Sequence, residues 1–418
     1  MVEALIIVGL LVAIFVGYNI GGSSTGVAFG PAVGSRIVRK ATAALLFSIF
    51  AFLGAWTIGR NVITTMSSQI VDVSVFTPET TVGVLFFTGL ALLVSNVYGV
   101  PASTSMTAVG AIVGLGLATG TLNAALMFTI ISAWIVAPVL ALLIGAIVGR
   151  YLYPYMEAKL AFRRLEDPLI TIDTSYRFPR LSFNENVQSR DLAGSALVVF
   201  IACYMGFSAG ASNAANAIAP LVGNGSIDLN PAILLAVGSI SLGSFTIARR
   251  TLATIGDDIT DLPILAALIV STIGGTIITI LSWLGIPASL AVSTTSSIIG
   301  LGWGRASRAK SLAELATPTE EPEPEFQTGA LKASPTEDTE AQPRSPTVSE
   351  LAERETPEPS DQEVPVDEIP AVGEEDPHHL PKESLFNPAA TARIVFLWIF
   401  TPTLAVFCAY LLFVFLGV

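Results

Sequence analysis

The sequence predicts an all-α polytopic membrane protein: a unit of broken helices that occurs twice, followed by a C-terminal transmembrane helix. Three observations carry that prediction. The 418 residues are 52% hydrophobic and only 13% charged, with a mean hydropathy of +0.68, a balance foreign to soluble domains. Long apolar runs recur along the chain, each approaching or exceeding the ~20 residues that cross ~30 Å of hydrocarbon. Two kinds of small-residue segment, rich in Gly, Ser, Thr and Asn, recur in the same order in each half, which marks a duplicated unit.

Spans near 4–20, 43–59, 82–98 and 123–149 make up the first membrane repeat, residues 1–150. The first is read as a retained helix, because Glu3 and no Lys or Arg precedes it, the wrong start for a signal peptide. Residues 151–191 read as a polar inter-repeat loop, and spans near 194–209, 232–248 and 264–284 fill the second repeat, residues 192–310. Residues 311–385 are an acidic, Pro-rich segment, and 386–418 carry the last span, near 394–416. Arg36, Arg39 and Lys40, and then Lys159, Arg163, Arg164, Arg177 and Arg180, mark two basic loops that the positive-inside rule places in the cytoplasm. The expected setting is the cell membrane, crossed many times, with the lipid bilayer as a partner, no nucleic acid, and a homo-oligomer as a candidate assembly.

The net charge of −12 is concentrated in one place. Residues 311–384 hold 20 of the 33 acidic residues, four of the 21 basic ones and 12 of the 25 prolines, so this piece is −16 and the remainder +4. Such a composition has too few large apolar groups to offset its ordering entropy and is expected to be a disordered linker. Both histidines, His378 and His379, lie within it. The membrane body therefore lacks histidine for metal sites, proton relays or Ser-His hydrolysis. The sequence Gly206-Phe207-Ser208-Ala209-Gly210 matches the G-x-S-x-G letters of a hydrolase elbow, but it sits in an apolar span with no base, so no enzyme is expected. Cys203 and Cys408 also lie in spans and read as core thiols.

The chemistry-bearing segments are paired. GGSSTGVAFGPAVGS (21–35) aligns with GASNAANAIAPLVGN (210–224), placing Pro31 opposite Pro220 and Gly34 opposite Gly223. GVPASTSMTAVGAIVG (99–114) has its counterpart in LAVSTTSSIIGLGWG (290–304), so that Ser103, Thr104 and Ser105 correspond to Ser293, Thr294 and Thr295. Polar, Gly- and Pro-rich backbone survives at membrane depth only where protein or a water-filled cavity satisfies it, so each of the four segments is expected to break its helix. Interrupted segments at matching places in two halves point to a substrate site near the midplane, with half-helix N-termini facing an anion. The hydroxyl triplets and adjoining N–H groups would suit a tetrahedral oxyanion. Ser and Thr bridging packed helices is the plainer alternative.

At these residues the chain resembles the inorganic phosphate transporter family, the sodium- or proton-coupled phosphate permeases, which carry a duplicated G-A-N-D-V-A-N signature and a P-V-S-T-T-H element in each half. The resemblance covers nearly all of 1–305 and the last helix. It implies two inverted-topology repeats with broken and re-entrant helices, and phosphate held between them by Ser103, Thr104, Ser105, Ser293, Thr294 and Thr295, with Ser23 and Ser212 beside them and cations alongside. No cofactor is implied beyond sodium as a candidate coupling ion, which would sit at Ser24, Asn213 and Asn216. The departures are specific. The signature Asp of each half is Ser24 or Asn213, the preceding Asn is Ser23 or Ser212, and the last Asn survives only as Asn216, with Val27 opposite. The histidine after each triplet is Met106 or Ser296.

Loss of both carboxylates removes proton acceptors and cation-neutralising charge, since Asn and Ser offer only neutral dipoles. Sulfate has no proton to give, so it or another oxyanion fits such a site at least as well as phosphate. The expectation is a secondary active transporter importing phosphate with a cation; a sulfate or other oxyanion transporter, a passive anion channel, and a non-transporting sensor or scaffold stay open. Arg60 and Arg249 close matching spans, with Asp257 after the second. They are either snorkelling caps or a basic funnel and gate latch.

Overall fold

In the computed structural model, residues 2–97, 103–159, 170–173, 180–183, 189–248, 263–316 and 388–417 are described. Contacts divide the chain into two units, residues 1–308 with 381–418, and 309–380. The first holds the membrane helices.

Among the described residues, six helices are long and apolar enough to cross a membrane, and a seventh span arises if one bent pair is counted. α1 (Val2–Gly34) leads to α2 (Lys40–Trp56) and α3 (Gly59–Ser68), which meet at 59°. Carbonyls at that bend are satisfied locally: Thr57 Oγ1 donates to Leu53 O at 2.6 Å and Arg60 Nε to Trp56 O at 2.7 Å. α4 (Pro78–Val97), the short α5 (Thr104–Thr119) and α6 (Ala124–Ile147) complete the first repeat. A π-helical turn, Val148–Leu152, joins α6 to α7 (Tyr153–Lys159). The second repeat holds α8 (Ser189–Gly223), α9 (Leu229–Phe245), α10 (Ile264–Trp283) and α11 (Leu290–Ala316), and α12 (Pro388–Leu416) ends the chain.

Within the polar inter-repeat segment, β1 (Ile170–Asp173) and β2 (Arg180–Phe183) pair antiparallel, with Ile170 opposite Phe183. One expectation needs correction: 21–35 and 210–224 do not break their helices, because α1 and α8 run through them without interruption. Their small polar side chains bond back to their own helix or reach neighbouring ones, so the backbone is never left open: Thr25 Oγ1 donates to Gly21 O at 2.7 Å, and Ser23 Oγ to Ile20 O at 3.2 Å. Breaks do occur at the other pair of segments, where α5 and α11 begin. Between α10 and α11 the exposed carbonyls are claimed by Trp134 Nε1, which donates to Pro287 O at 2.7 Å, and Ser212 Oγ, which donates to Ala288 O at 2.6 Å.

The two repeats are interlocked by glycine. A Cβ at Gly54 of α2 would fall 1.9 Å from Phe207 O of α8, and one at Gly243 of α9 would fall 2.0 Å from Tyr18 O of α1. Gly21 on α1 approaches Ile240 O of α9 as Gly210 on α8 approaches Ala51 O of α2. These are the same two contacts seen twice, related by the shift that aligns the signatures. The second helix of each repeat is thus clasped to the first helix of the other, at distances only small residues permit.

The last helix obeys the same rule. Gly110 and Gly114 of α5 abut Pro402 O and Val406 O of α12, while Gly300 and Gly304 of α11 abut Leu142 O and Ala146 O of α6. α12 is therefore the second-repeat equivalent of α6, not a lone addition. Each of this pair has 22% of its apolar window buried, against 56% for α4 and α10, so both lie at the periphery, facing lipid.

Candidate functional site

Ser24 and Asn213, which occupy equivalent positions in the two signatures, touch: Asn213 Nδ2 donates to Ser24 Oγ at 3.1 Å. A contact between equivalent residues places this point on the axis relating the repeats. A buried polar cluster radiates from it. Thr104 Oγ1 donates to Asn213 Oδ1 at 2.8 Å, and Asn216 Nδ2 lies 3.3 Å from the same oxygen and 3.2 Å from Ser105 Oγ. Ser105 Oγ is 3.3 Å from Ser212 Oγ. The spacing of Asn213 and Asn216 sets both amides on one face of α8, while Ser212, one residue earlier, reaches sideways to the break before α11.

A cavity of about 10 Å³ lies beside this cluster, lined by Ser23, Ser24, Val27, Thr104, Asn213, Ser289, Leu290 and Ala291. It has room for about one water and no charged side chain in its wall. Two helix N-termini converge on it. Thr104 and Ser105 open α5, whose N-cap, Ser103, makes no side-chain capping bond; Leu290 and Ala291 open α11. Orphaned first-turn N–H groups and the positive end of each helix dipole therefore meet at one spot. Two buried oxygens nearby have no hydrogen-bond partner, Ser103 Oγ and Asn216 Oδ1.

Of the residues singled out from sequence, Ser23, Ser24, Thr104, Ser105, Ser212, Asn213 and Asn216 come together here. The second triplet does not join them in the same way. Thr294 Oγ1 turns back to Leu290 O at 2.9 Å and Ala291 O at 3.1 Å, Ser293 is buried in the first turn of α11, and Thr295 is half-buried. Its place at the cavity is taken by Ser289, which sequence reading passed over. Ser289 Oγ accepts from Val292 N at 3.4 Å, an N-cap arrangement whose signal was a Ser just ahead of an apolar run. Asn19 was also missed: it is buried on α1, and Asn96 Nδ2 of α4 lies 3.1 Å from both its backbone and side-chain oxygens.

Arg60 stacks on Trp56, its guanidinium carbon 4.6 Å from the ring centre, and donates from Nη2 to Asn230 Oδ1 at 2.7 Å. Arg249 and Asp257 lie outside the described residues. No group of three or more His, Cys, Asp or Glu able to hold a metal occurs among the described residues, and both cysteines are free.

The profile of the phosphate transporter family matches residues 20–332, spanning both signatures and both hydroxyl segments. The chain belongs to that family. Like the rest of the family it is a transporter, not an enzyme, and a multi-pass membrane protein. A sulfate permease, CysP, of Bacillus subtilis (strain 168) is 30% identical over 298 residues, covering 71% of this chain and 77% of that one. The chloroplastic inorganic phosphate transporter 2-1 of Arabidopsis thaliana is 24% identical over 386 residues, covering 71% and 65%. Among solved structures, the sodium-dependent phosphate transporter superposes with a TM-score of 0.59 at 20% identity, covering 75% of this chain and 93% of that one. That likeness establishes the fold.

Proposed function

We propose that this family member is a secondary transporter of a tetrahedral inorganic oxyanion, which binds between the repeats against the N-termini of α5 and α11, and that sulfate is the substrate its site supports best. One observation carries the reading: every polar side chain in the wall of the cavity beside the repeat axis is neutral, Ser23, Ser24, Thr104, Asn213 and Ser289, and the rest of the wall is apolar. A carboxylate would repel a fully ionised anion and accept the proton of a partly protonated one. Hydroxyl, amide and backbone N–H groups do neither. The sulfate permease at 30% identity supports the same choice.

Phosphate is the second reading, favoured by the family profile and the phosphate transporter among its relatives. Coupling to a cation belongs to the proposal too. Asn216, whose Oδ1 is unpartnered, bonds through Nδ2 to Asn213, which bonds in turn to Ser24; the neutral oxygens of these three residues would hold sodium, as carbonyl oxygens do in other transporters. The cavity of about 10 Å³ has room for about one water, so binding of the larger anion requires the site to widen.

Uptake of labelled sulfate and, separately, phosphate into proteoliposomes, with and without an inward sodium gradient, tests the proposal. Saturable sulfate flux that Thr104→Val and Asn213→Ala each lower at least tenfold supports it, about the effect of losing one hydrogen bond to a charged group. Phosphate flux with the same sensitivity selects the second reading, and absence of flux for both anions overturns the transporter reading.

A further inference from the structure

A second cavity lies far from the axis, where α6 ends against α11, and none of the chemistry above uses it. It measures about 270 Å³ and is lined by Ala146, Ile147, Arg150, Tyr151, Trp303, Gly304 and Ser307. Its floor is a close approach of the two helices: a Cβ at Gly304 would fall 2.1 Å from Ala146 O. Its sides are aromatic and exposed, with Trp303 63% and Tyr151 62% accessible, and Ile147 at 59% continues the apolar face of α6. At its polar end Arg150 Nη1 donates to Ser307 Oγ at 3.0 Å, and Arg150 also lies 5.7 Å from the Tyr151 ring centre. Arg308 reaches across, its Nη1 3.5 Å from Arg150 O.

The backbone is irregular at this place. Arg150 and Tyr151 sit in the π-helical turn Val148–Leu152, a local insertion of the kind that often marks a functional site; it sets two consecutive side chains, one cationic and one aromatic, on the same cavity. Trp and Tyr concentrate at the membrane–water boundary. The basic stretch that follows α7 puts this end of α6 on the cytoplasmic side. Guanidinium groups there, over an apolar slot open to lipid, match a phosphodiester headgroup with acyl chains lying along α6.

We propose that the cleft between α6 and α11 binds an anionic phospholipid of the cytoplasmic leaflet, its phosphate held by Arg150 and Arg308 and its glycerol backbone resting on Trp303 and Tyr151. A volume of about 270 Å³ suits a headgroup and its glycerol, with the chains left in the bilayer.

Native mass spectrometry of the delipidated full chain with phosphatidylglycerol, phosphatidylcholine or glycerol 3-phosphate tests the assignment. The expected result is retention of phosphatidylglycerol, at least tenfold weaker in both Arg150→Gln and Arg308→Gln and largely restored in Arg150→Lys. Brominated phosphatidylglycerol should quench wild-type tryptophan fluorescence more than that of Trp303→Phe. Equal retention of phosphatidylcholine, equal binding by the Gln variants, or no difference in quenching at Trp303 would overturn it. Binding of glycerol 3-phosphate as strongly as of the lipid would replace the lipid with a soluble phosphate ester, and protection of the cleft by a second copy of the chain would make it a subunit interface; both outcomes refute the assignment.

Discussion

Asn213 is the residue on which the substrate question turns. Its amide nitrogen serves Ser24 of the other repeat, and its oxygen takes a hydrogen bond from Thr104 and another from Asn216. Asn213→Asp keeps the shape and adds the charge that the family signature carries. Such a carboxyl exists in two forms, one ionised and one neutral. It is charged at higher pH and neutral at lower pH. Sulfate flux through Asn213→Asp should therefore be at least tenfold below wild type at alkaline pH and recover as pH falls, while wild-type sulfate flux stays flat because the cavity wall holds no titratable group. Initial rates at a series of pH values check this, and a flat profile for the variant would refute it. Asn216→Ala removes the orphaned Oδ1; it should weaken sodium stimulation of uptake more than it weakens maximal flux, which a sodium titration would measure.

At the level of elements, the glycines of the crossed helix pairs decide whether the site is assembled. Gly54 and Gly243 each sit against a carbonyl at a distance no Cβ can occupy. Gly243→Val and Gly54→Val should each force α9 from α1, or α2 from α8, with an overpacking cost of about 1–3 kcal/mol or more. The readout is a lowered Tm in detergent for both. Gly238, where an added Cβ would meet nothing within 4 Å, is the control: Gly238→Ala should leave Tm unchanged or slightly raised, since alanine costs less helix entropy than glycine. Similar destabilisation at all three positions would refute the clasp.

The whole molecule has a property that neither repeat possesses alone. α1 is clasped by α9, α2 by α8, α5 by α12 and α6 by α11, so each half completes the other. The Ser24–Asn213 bond exists only when both are present. Two separately expressed halves, divided within the segment between α7 and α8, should each insert yet bind no anion, and should regain flux when co-expressed. Co-purification of the halves and uptake by the pair test this. Flux from either half alone would mean that the site is not on the shared axis. Removing α12 should disable transport for the same reason, since α5, which carries Thr104 and Ser105, would lose the helix against which Gly110 and Gly114 pack.

The sequence by itself determined the membrane class, the duplication and most of the polar cluster. Those features are written in composition, apolar run length and aligned small residues, which are local properties of the chain. The helical state of 21–35 and 210–224 was not legible, because a Gly-, Ser- and Asn-rich stretch breaks a helix or continues it according to whether neighbouring helices meet its side chains. Ser289, rather than the Ser293 to Thr295 triplet, faces the cavity because the turn after α10 sets where α11 starts, and hence which hydroxyl sits at its first turn. That α12 is the mate of α6, and that equivalent residues Ser24 and Asn213 meet, also required tertiary structure. Contacts between segments so far apart in the chain come from the crossing of two repeats, which no local pattern encodes.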